Sequence, residues 1–356
     1  MENKRKFGRS LFTKISMGET TNFSKFFNNS SIGKESIFPK APIVVGMLGV
    51  FIFIAVIGLS GNTLVLLIFK RTKSMRTTTN ILIANLAFAD FLTMLFGIPS
   101  MVLSSLKNHP GNTFGVLLCK FLTVGNIPSV CLAVSILTLT LMAYERYNAI
   151  VQPMRAKRRL TKENVVFCIC FMWITGFAFI LPSFISTKHS TENKFCYDSL
   201  NDNQRQTYYI ILLIFLFFTP LSIIIYCYMK IIKELQVASG IAPGNLSARQ
   251  NIREKRRIAK VLLLVSLTFS TCFGAFGVTR VLEDAGNVSH LTSEIALMLL
   301  YSNAAFDPII YAFQSSNYIN AFKNMFHCQG SKAILSLRLS YERRNATERS
   351  EVKIGD

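Results

Sequence analysis

The sequence is short of charge. Only 16% of its 356 residues are Asp, Glu, Lys or Arg, whereas 51% are hydrophobic. A soluble domain usually has about 25% charged residues, so this composition argues against one. The chain also shows no internal repeat, no low-complexity segment, no nucleophile–base constellation and no metal-ligand spacing. We therefore do not expect an enzyme.

The N-terminal segment lacks an apolar core. Residues 1–42 are mostly polar and rich in Ser, Asn and Thr. A cleavable signal peptide needs an apolar stretch of about 7–15 residues, so none is expected here. The segment is interpreted as a disordered extracellular tail. Three glycosylation sequons lie in it, beginning at Asn22, Asn28 and Asn29.

Long hydrophobic runs are what the chain does have. Seven of them are each about the 20 residues needed to cross a bilayer. They lie near residues 43–69, 80–104, 116–149, 164–186, 207–232, 258–282 and 292–313. These runs predict an all-α membrane protein, a seven-helix bundle over 43–313. The seventh run contains Glu294, Asn303 and Asp307, so a count by hydropathy alone could return six.

The net charge of +20 is explained by orientation in the membrane and not by nucleic-acid binding. Basic residues concentrate in the first, third and fifth connections, and the alternate connections contain few. The positive-inside rule therefore places the N-terminus outside and the C-terminus in the cytoplasm. A multi-pass protein of the plasma membrane is expected.

The segment after the seventh run predicts a short eighth helix over 314–328. Tyr318, Phe322 and Phe326 recur at helical spacing on one face. An amphipathic helix of this kind lies along the membrane surface. Cys328 at its end is a candidate palmitoylation site, and 329–356 is expected to be a disordered cytoplasmic tail.

The eight cysteines test the topology. Of these, only Cys119 and Cys196 fall outside the membrane on its extracellular side, where oxidation is expected. They should pair, which would tie the top of the third helix to the loop before the fifth.

The third run ends in Glu145-Arg146-Tyr147. A charge facing lipid at the centre of the membrane costs roughly 2.5–3.5 kcal/mol. Arg146 therefore either snorkels to the headgroups or faces a cavity between helices and serves a switch. Asp90, Asn62, Ser135, Asn303 and Asp307 are further polar residues within apolar runs. They are either functional or hydrogen-bonding contacts between helices.

The chain resembles the rhodopsin-like G-protein-coupled receptors over nearly its whole length, because it carries their motifs in the same order. The motifs that carry the resemblance are Gly61-Asn62, Leu86-Ala-Phe-Ala-Asp90, Glu145-Arg146-Tyr147, Trp173, Pro220 with Tyr228, and Asn303 with Asp307-Pro308-Ile-Ile-Tyr311. The resemblance implies a receptor that binds an extracellular ligand and activates a heterotrimeric G protein. Arrestin and receptor kinases are then the expected partners of the C-terminal tail.

The resemblance also implies roles for the polar and apolar residues. Asp90, Ser135 and Asn303 would line a pocket for an allosteric sodium ion, and no other cofactor is expected. Ile136, Pro220 and Phe269 would link the ligand pocket to the cytoplasmic opening, although ordinary core packing explains them equally. Arg146 would be held by Glu145 at rest, and Tyr228 and Tyr311 would close around the opened state.

Three departures from the family pattern stand out. Phe273 and Ala275 occupy the positions of the usual Trp and Pro in the sixth span, so Gly274 and Gly277 are expected to soften the helix instead. Asp307 replaces a commoner Asn, which puts a second carboxylate at the sodium site. The spacing from Cys119 to Arg146 is also longer than usual, and a bulge near 125–128 would absorb the excess.

Several functions compete on this fold. A retinal sensor needs a lysine in the seventh span, and that span offers none. A transporter predicts inverted repeats, which are not evident. A seven-helix protein that does not signal stays open because of the altered sixth span.

Among ligands, an amine is disfavoured because 126–130 lack a carboxylate, and a neuropeptide is favoured. Arg280, Glu283 and Asp284 would form the ligand rim, unless they belong to a solvated loop.

Overall fold

The computed structural model describes residues 42–72, 76–106, 109–153, 160–190, 192, 194–241, 246–284 and 288–314. The glycosylation sequons, the predicted helix over 314–328, Cys328 and the tails lie outside these residues. Seven long helices run through the described chain. They are α1 (Pro42–Arg71), α2 (Thr78–Leu106), α3 (Thr113–Leu118, Cys119–Thr123 and Asn126–Val151), α4 (Lys162–Ser186), α5 (Asp202–Leu213, Ile214–Phe218 and Thr219–Ile241), α6 (Leu246–Asp284) and α7 (His290–Gln314).

Helix α3 is irregular near its outer end. A π-helical turn covers Cys119–Thr123, and Gly125 then adopts a left-handed conformation with φ 76°. Glycine occupies this conformation at little cost because it has no Cβ. The Asn126 amide donates to the Lys120 carbonyl at 2.8 Å, which closes the break. The expected irregularity is therefore present, and it begins a turn earlier than 125–128.

A β-hairpin connects α4 and α5, which the sequence did not predict. Strand β1 (Thr187–Ser190) pairs antiparallel with β2 (Phe195–Asp198), with His189 opposite Cys196. Cross-strand partners share a face, so Thr187, His189 and Cys196 lie on one side and Phe195 and Tyr197 on the other. The second side is exposed to solvent.

The distribution of polarity is that of a membrane protein. Phe167 and Ile174 of α4 are 72% and 68% exposed, whereas Asp90 and Asp307 are 1% and 0% exposed. Such an apolar outside and polar inside suits lipid as the solvent. Six described helices are long and apolar enough to span a membrane, and α7 is not among them. The expectation that hydropathy alone returns six is confirmed.

Close contacts between helices explain why glycine stands at position 61 in α1 and at positions 274 and 277 in α6. A Cβ on Gly61 would lie 2.7 Å from the Cγ of Pro308, so α1 approaches α7 where no side chain fits. Helix α6 is continuous, and a Cβ on Gly274 or Gly277 would lie 2.8 Å from Phe217 or 2.4 Å from Leu213. These two glycines therefore let α6 pack closely on α5.

Candidate functional site

Arg146 is held by its neighbour at the cytoplasmic end of α3. Its Nε lies 2.9 Å from Oε2 of Glu145, and the side chains of Arg146 and Glu145 are 17% and 11% exposed. The contact is an ion pair and not an aligned hydrogen bond, because the Arg146 N–H does not point at an acceptor. The hydroxyls of Thr78 and Thr79 donate to Glu145 at 3.2 and 3.1 Å. The carboxylate thus joins α2 to α3.

Three tyrosines lie at this end of α3 and α5, and Tyr228 is the one shown beside Arg146. Tyr228 of α5 is 3% exposed. Within the described part of the chain its hydroxyl makes no hydrogen bond, and Ser266 and Arg146 are its polar neighbours. The Tyr147 hydroxyl accepts a hydrogen bond from Gln152 at 2.8 Å, and its ring centroid lies 6.0 Å from that of Tyr226. The Tyr311 side chain lies outside the described residues. Tyr228 therefore has hydrogen-bonding capacity in reserve.

A second polar cluster lies deeper, between α2, α3 and α7. The Ser135 hydroxyl donates to Oδ1 of Asp90 at 3.0 Å, and Asp90 and Asp307 interact through their carboxyl groups. Asn303 precedes Asp307 by one helical turn, which places both on the same face of α7. Five further polar atoms are buried here without a hydrogen-bond partner among the described residues: the other oxygen of Asp90, both oxygens of Asp307 and both polar atoms of the Asn303 side chain.

This donor set can hold a hard cation. Carboxylate, amide and hydroxyl oxygens are the ligands that such ions take in proteins. Buried polar groups without partners cost about 1–3 kcal/mol each, which an ion or a shared proton would relieve. The residues expected from the sequence for a sodium pocket therefore fit that group.

The residues expected to transmit the signal are buried, which signal transmission and ordinary core packing both predict. Ile136 and Phe269 are 1% and 0% exposed and belong to one apolar cluster, and Pro220 is also buried. Phe273 stacks between Phe269 and Phe217, with ring centroids 5.7 and 6.0 Å away and interplanar angles of 17°. A stack of three phenylalanines from α5 and α6 thus occupies the position where the family pattern has Trp.

At the outer end the predicted disulfide is formed. Cys119 and Cys196 are bonded with a Cα–Cα distance of 5.5 Å, which ties β2 to α3. At the rim, Nη1 of Arg280 lies 2.9 Å from Oε2 of Glu283, and the guanidinium lies over the Tyr209 ring at 5.6 Å. The Asp284 side chain lies outside the described residues. The charge of Glu283 is therefore largely compensated within its own helix.

Sequence reasoning named Trp173 but missed its partners, Asn85 and Thr138, and it also missed Thr78 and Thr79. Trp173 donates to Oδ1 of Asn85 at 3.1 Å, and the Asn85 amide donates to Thr138 at 2.8 Å. This chain joins α4, α2 and α3, and the position of Asn85 within an apolar run was the signal that could have found it. Thr78 and Thr79 gave no signal, because threonine is common at helix starts.

Comparisons with known proteins agree with this architecture. The model of the 7 transmembrane receptor (rhodopsin family) matches residues 61–311, from α1 to α7. A QRFP-like peptide receptor of Branchiostoma floridae is 29% identical over 307 residues, covering 82% of this chain and 79% of the receptor. Galanin receptor type 1 of Rattus norvegicus is 30% identical over 298 residues, covering 79% of this chain and 82% of the receptor.

The crystal structure of squid rhodopsin has the same fold. It superimposes with a TM-score of 0.67 and 26% sequence identity, covering 84% of this chain and 91% of the rhodopsin chain. The seven helices, the motifs in their order and these matches exclude a transporter or an enzyme. The chain is a multi-pass membrane protein and belongs to the rhodopsin family of seven-transmembrane, G-protein-coupled receptors.

Proposed function

We propose that this receptor binds an extracellular peptide at the plasma membrane and passes the signal to a heterotrimeric G protein. The outward side of the hairpin is the observation that carries the ligand class. Phe195 and Tyr197 are 39% and 44% exposed there, with ring centroids 6.0 Å apart. Exposed aromatic rings are typical anchors of protein and peptide interfaces. Relatives named as QRFP-like peptide and galanin receptors support the same class.

Two smaller ligand classes fit poorly. A retinal Schiff base needs a lysine, and α7 contains none between His290 and Gln314, in spite of the likeness to squid rhodopsin. An amine would need a buried carboxylate in the upper part of α3, where residues 126–130 offer none. A peptide needs neither group, because its backbone supplies hydrogen bonds and its side chains fill pockets.

The signalling step would start from the Arg146–Glu145 pair. In a two-state receptor, the ligand shifts the equilibrium only by its differential affinity for the two states. The resting state would hold Arg146 on Glu145, and the active state would release it towards the G protein. The unpaired Tyr228 hydroxyl, next to Arg146, would then gain a partner. With the C-terminus in the cytoplasm, the serines and threonines of 329–356 would serve receptor kinases and arrestin.

We also propose that sodium is an allosteric ligand of the polar cluster. Asp90, Ser135, Asn303 and Asp307 would hold it, and it would supply the positive charge that two neighbouring carboxyls lack. Agonist affinity should then be lower in NaCl than in choline chloride of equal ionic strength. Asp90→Asn should remove that difference, and an Asp90→Asn variant as sodium-sensitive as wild type would contradict the proposal.

A second candidate is a seven-helix protein that binds ligand without signalling. The altered α6 favours it, because Phe273 and Ala275 replace the residues that usually shape this helix. Both candidates predict peptide binding, so only a G-protein readout separates them.

The deciding experiment is a peptide-library screen in cells that express the receptor with a promiscuous G protein and a calcium reporter. A peptide that raises calcium through the wild type and not through Arg146→Ala would support the proposed function. Binding of the same peptide to both forms, with no calcium response from either, would favour the non-signalling candidate. Responses to amines alone would overturn the ligand class.

A further inference from the structure

Two histidines meet under the hairpin at the outer end of the molecule. His109, in the connection between α2 and α3, and His189 of β1 have ring centroids 6.4 Å apart with an interplanar angle of 67°. They are two of four histidines in the chain. Neither takes part in the signalling site, and they lie beside the disulfide because Cys196 is the cross-strand partner of His189.

The ring of His189 is unusual because its nitrogens are not hydrogen-bonded. Both are buried and have no hydrogen-bond partner among the residues that the structure describes. A buried polar group without a partner costs about 1–3 kcal/mol, and such a group calls for a ligand, ion or water. The neighbouring backbone is tight, since a Cβ on Gly115 would lie 3.3 Å from Nε2 of His189. Gly115 thereby leaves the space into which this imidazole fits.

The ring of His109 is held in place. It is 3% exposed, and its backbone N–H donates to the Lys194 carbonyl at 2.8 Å. Nε2 lies 2.8 Å from the Thr123 hydroxyl and Nδ1 lies 3.3 Å from the Lys194 carbonyl. The His109 ring therefore lies between two oxygen atoms. The backbone hydrogen bond to Lys194 attaches the hairpin turn to the connection before α3.

We propose that His109 and His189 form an extracellular zinc site that staples the hairpin to the connection before α3. Zinc bonds imidazole nitrogens at about 2.0–2.1 Å, so two rings that share one ion have centroids roughly 5–6 Å apart. The observed 6.4 Å needs a small rotation of the His189 ring, which no hydrogen bond from the described residues holds. With zinc on Nε2 of His109, the neighbouring Thr123 hydroxyl and water supply the remaining positions, while Nδ1–H stays on the Lys194 carbonyl.

The surroundings of His109 favour the neutral imidazole, which is the form that binds metal. Burial is the main cause that lowers the pKa of His109. Lys188 and Lys194 are exposed to solvent, so their charges are screened from the pair. The sulfurs of Cys119 and Cys196 lie close to His109, but they are bonded to each other and are not thiolates. The site therefore depends on the two histidines.

The test is zinc binding by the purified full-length receptor after its free thiols have been alkylated. Thermal unfolding is measured with zinc chloride and, separately, with magnesium chloride. Zinc should raise the wild-type unfolding temperature progressively with concentration, as any ligand of the folded state does, and magnesium should not. His189→Ala should lower zinc affinity by about tenfold or more. This variant should fold, because removing the His189 ring breaks no hydrogen bond within the described residues.

His290→Ala is the matched control, since it removes the histidine at the first residue of α7. It should keep the full zinc shift. The proposal is overturned if the wild type shows no zinc-specific shift, which would mean that water satisfies His189. It is also overturned if His189→Ala keeps the wild-type shift, or if His290→Ala loses it. Peptide binding is not part of the readout, so the ligand proposal can fail separately.

Discussion

The outer end and the middle of this receptor differ in how far their polar groups are paired. At the outer end, a disulfide joins α3 to the hairpin, and Asn201 and Gln204 cap α5 reciprocally at 2.9 and 3.2 Å. In the middle, Asp90, Asn303 and Asp307 are buried and have polar atoms that receive no hydrogen bond from the described residues. A region whose groups are paired has one favoured arrangement. A region with unpaired groups gains by rearranging, so we expect the change of state to involve the middle and to reach Arg146 at the cytoplasmic end, whereas the outer end, His189 apart, serves as a rigid frame.

The largest effect is expected for Arg146→Ala, which removes the charged group of the switch. Without the guanidinium, the released state has no charge to offer the G protein, so nucleotide exchange should be lost. Agonist affinity should fall by no more than about tenfold, because the ligand site lies at the other end of the bundle. Agonist-stimulated nucleotide exchange and radioligand binding measure the two effects. Intact coupling would mean that Arg146 only snorkels to the headgroups.

Removing the disulfide should break the frame. Cys119→Ala and Cys196→Ala should each lower surface expression and ligand binding, since losing such a bond costs about 2–5 kcal/mol. The double variant should be no worse than either single one, because the same bond is lost in all three. Surface labelling and saturation binding provide the comparison. Additive losses would contradict a shared bond.

Gly61→Ala should strain the contact between α1 and α7. The new Cβ would lie 2.7 Å from Pro308, and overpacking of this kind costs about 1–3 kcal/mol. The unfolding temperature of the purified receptor should therefore fall. Gly46→Ala is the control in the same helix, because its Cβ would have nothing within 4 Å. Equal unfolding temperatures for the two variants would show that the helices separate without cost.

The smallest effect is expected at the rim. Glu283→Gln combined with Asp284→Asn should slow association of a basic peptide at low ionic strength and flatten its salt dependence, because rim charges mainly change association rates. Glu192→Gln in the hairpin turn is the control for a change in overall charge. Surface plasmon resonance at several salt concentrations gives the rates, and an unchanged association rate would remove the rim from ligand recognition.

The sequence alone determined the membrane class, the seven spans and the disulfide. Long apolar runs are sufficient to predict the membrane class and the spans, because lipid requires each span to form its own backbone hydrogen bonds as a helix. The same constraint explains why Arg146 and Asp90 could be singled out, since a charge within an apolar run is expensive. The family motifs then predicted that Arg146 is held by Glu145, and the ion pair is present.

Only the tertiary structure decided which polar atoms meet. The hairpin could not be predicted because its short strands become stable only against the disulfide and α3. Thr78 and Thr79 became partners of Glu145 only when α2 packed on α3. Likewise His109 and His189, 80 residues apart in the printed sequence, carry no spacing signal. Contacts between distant segments depend on how helices pack, which local pattern and hydropathy do not encode.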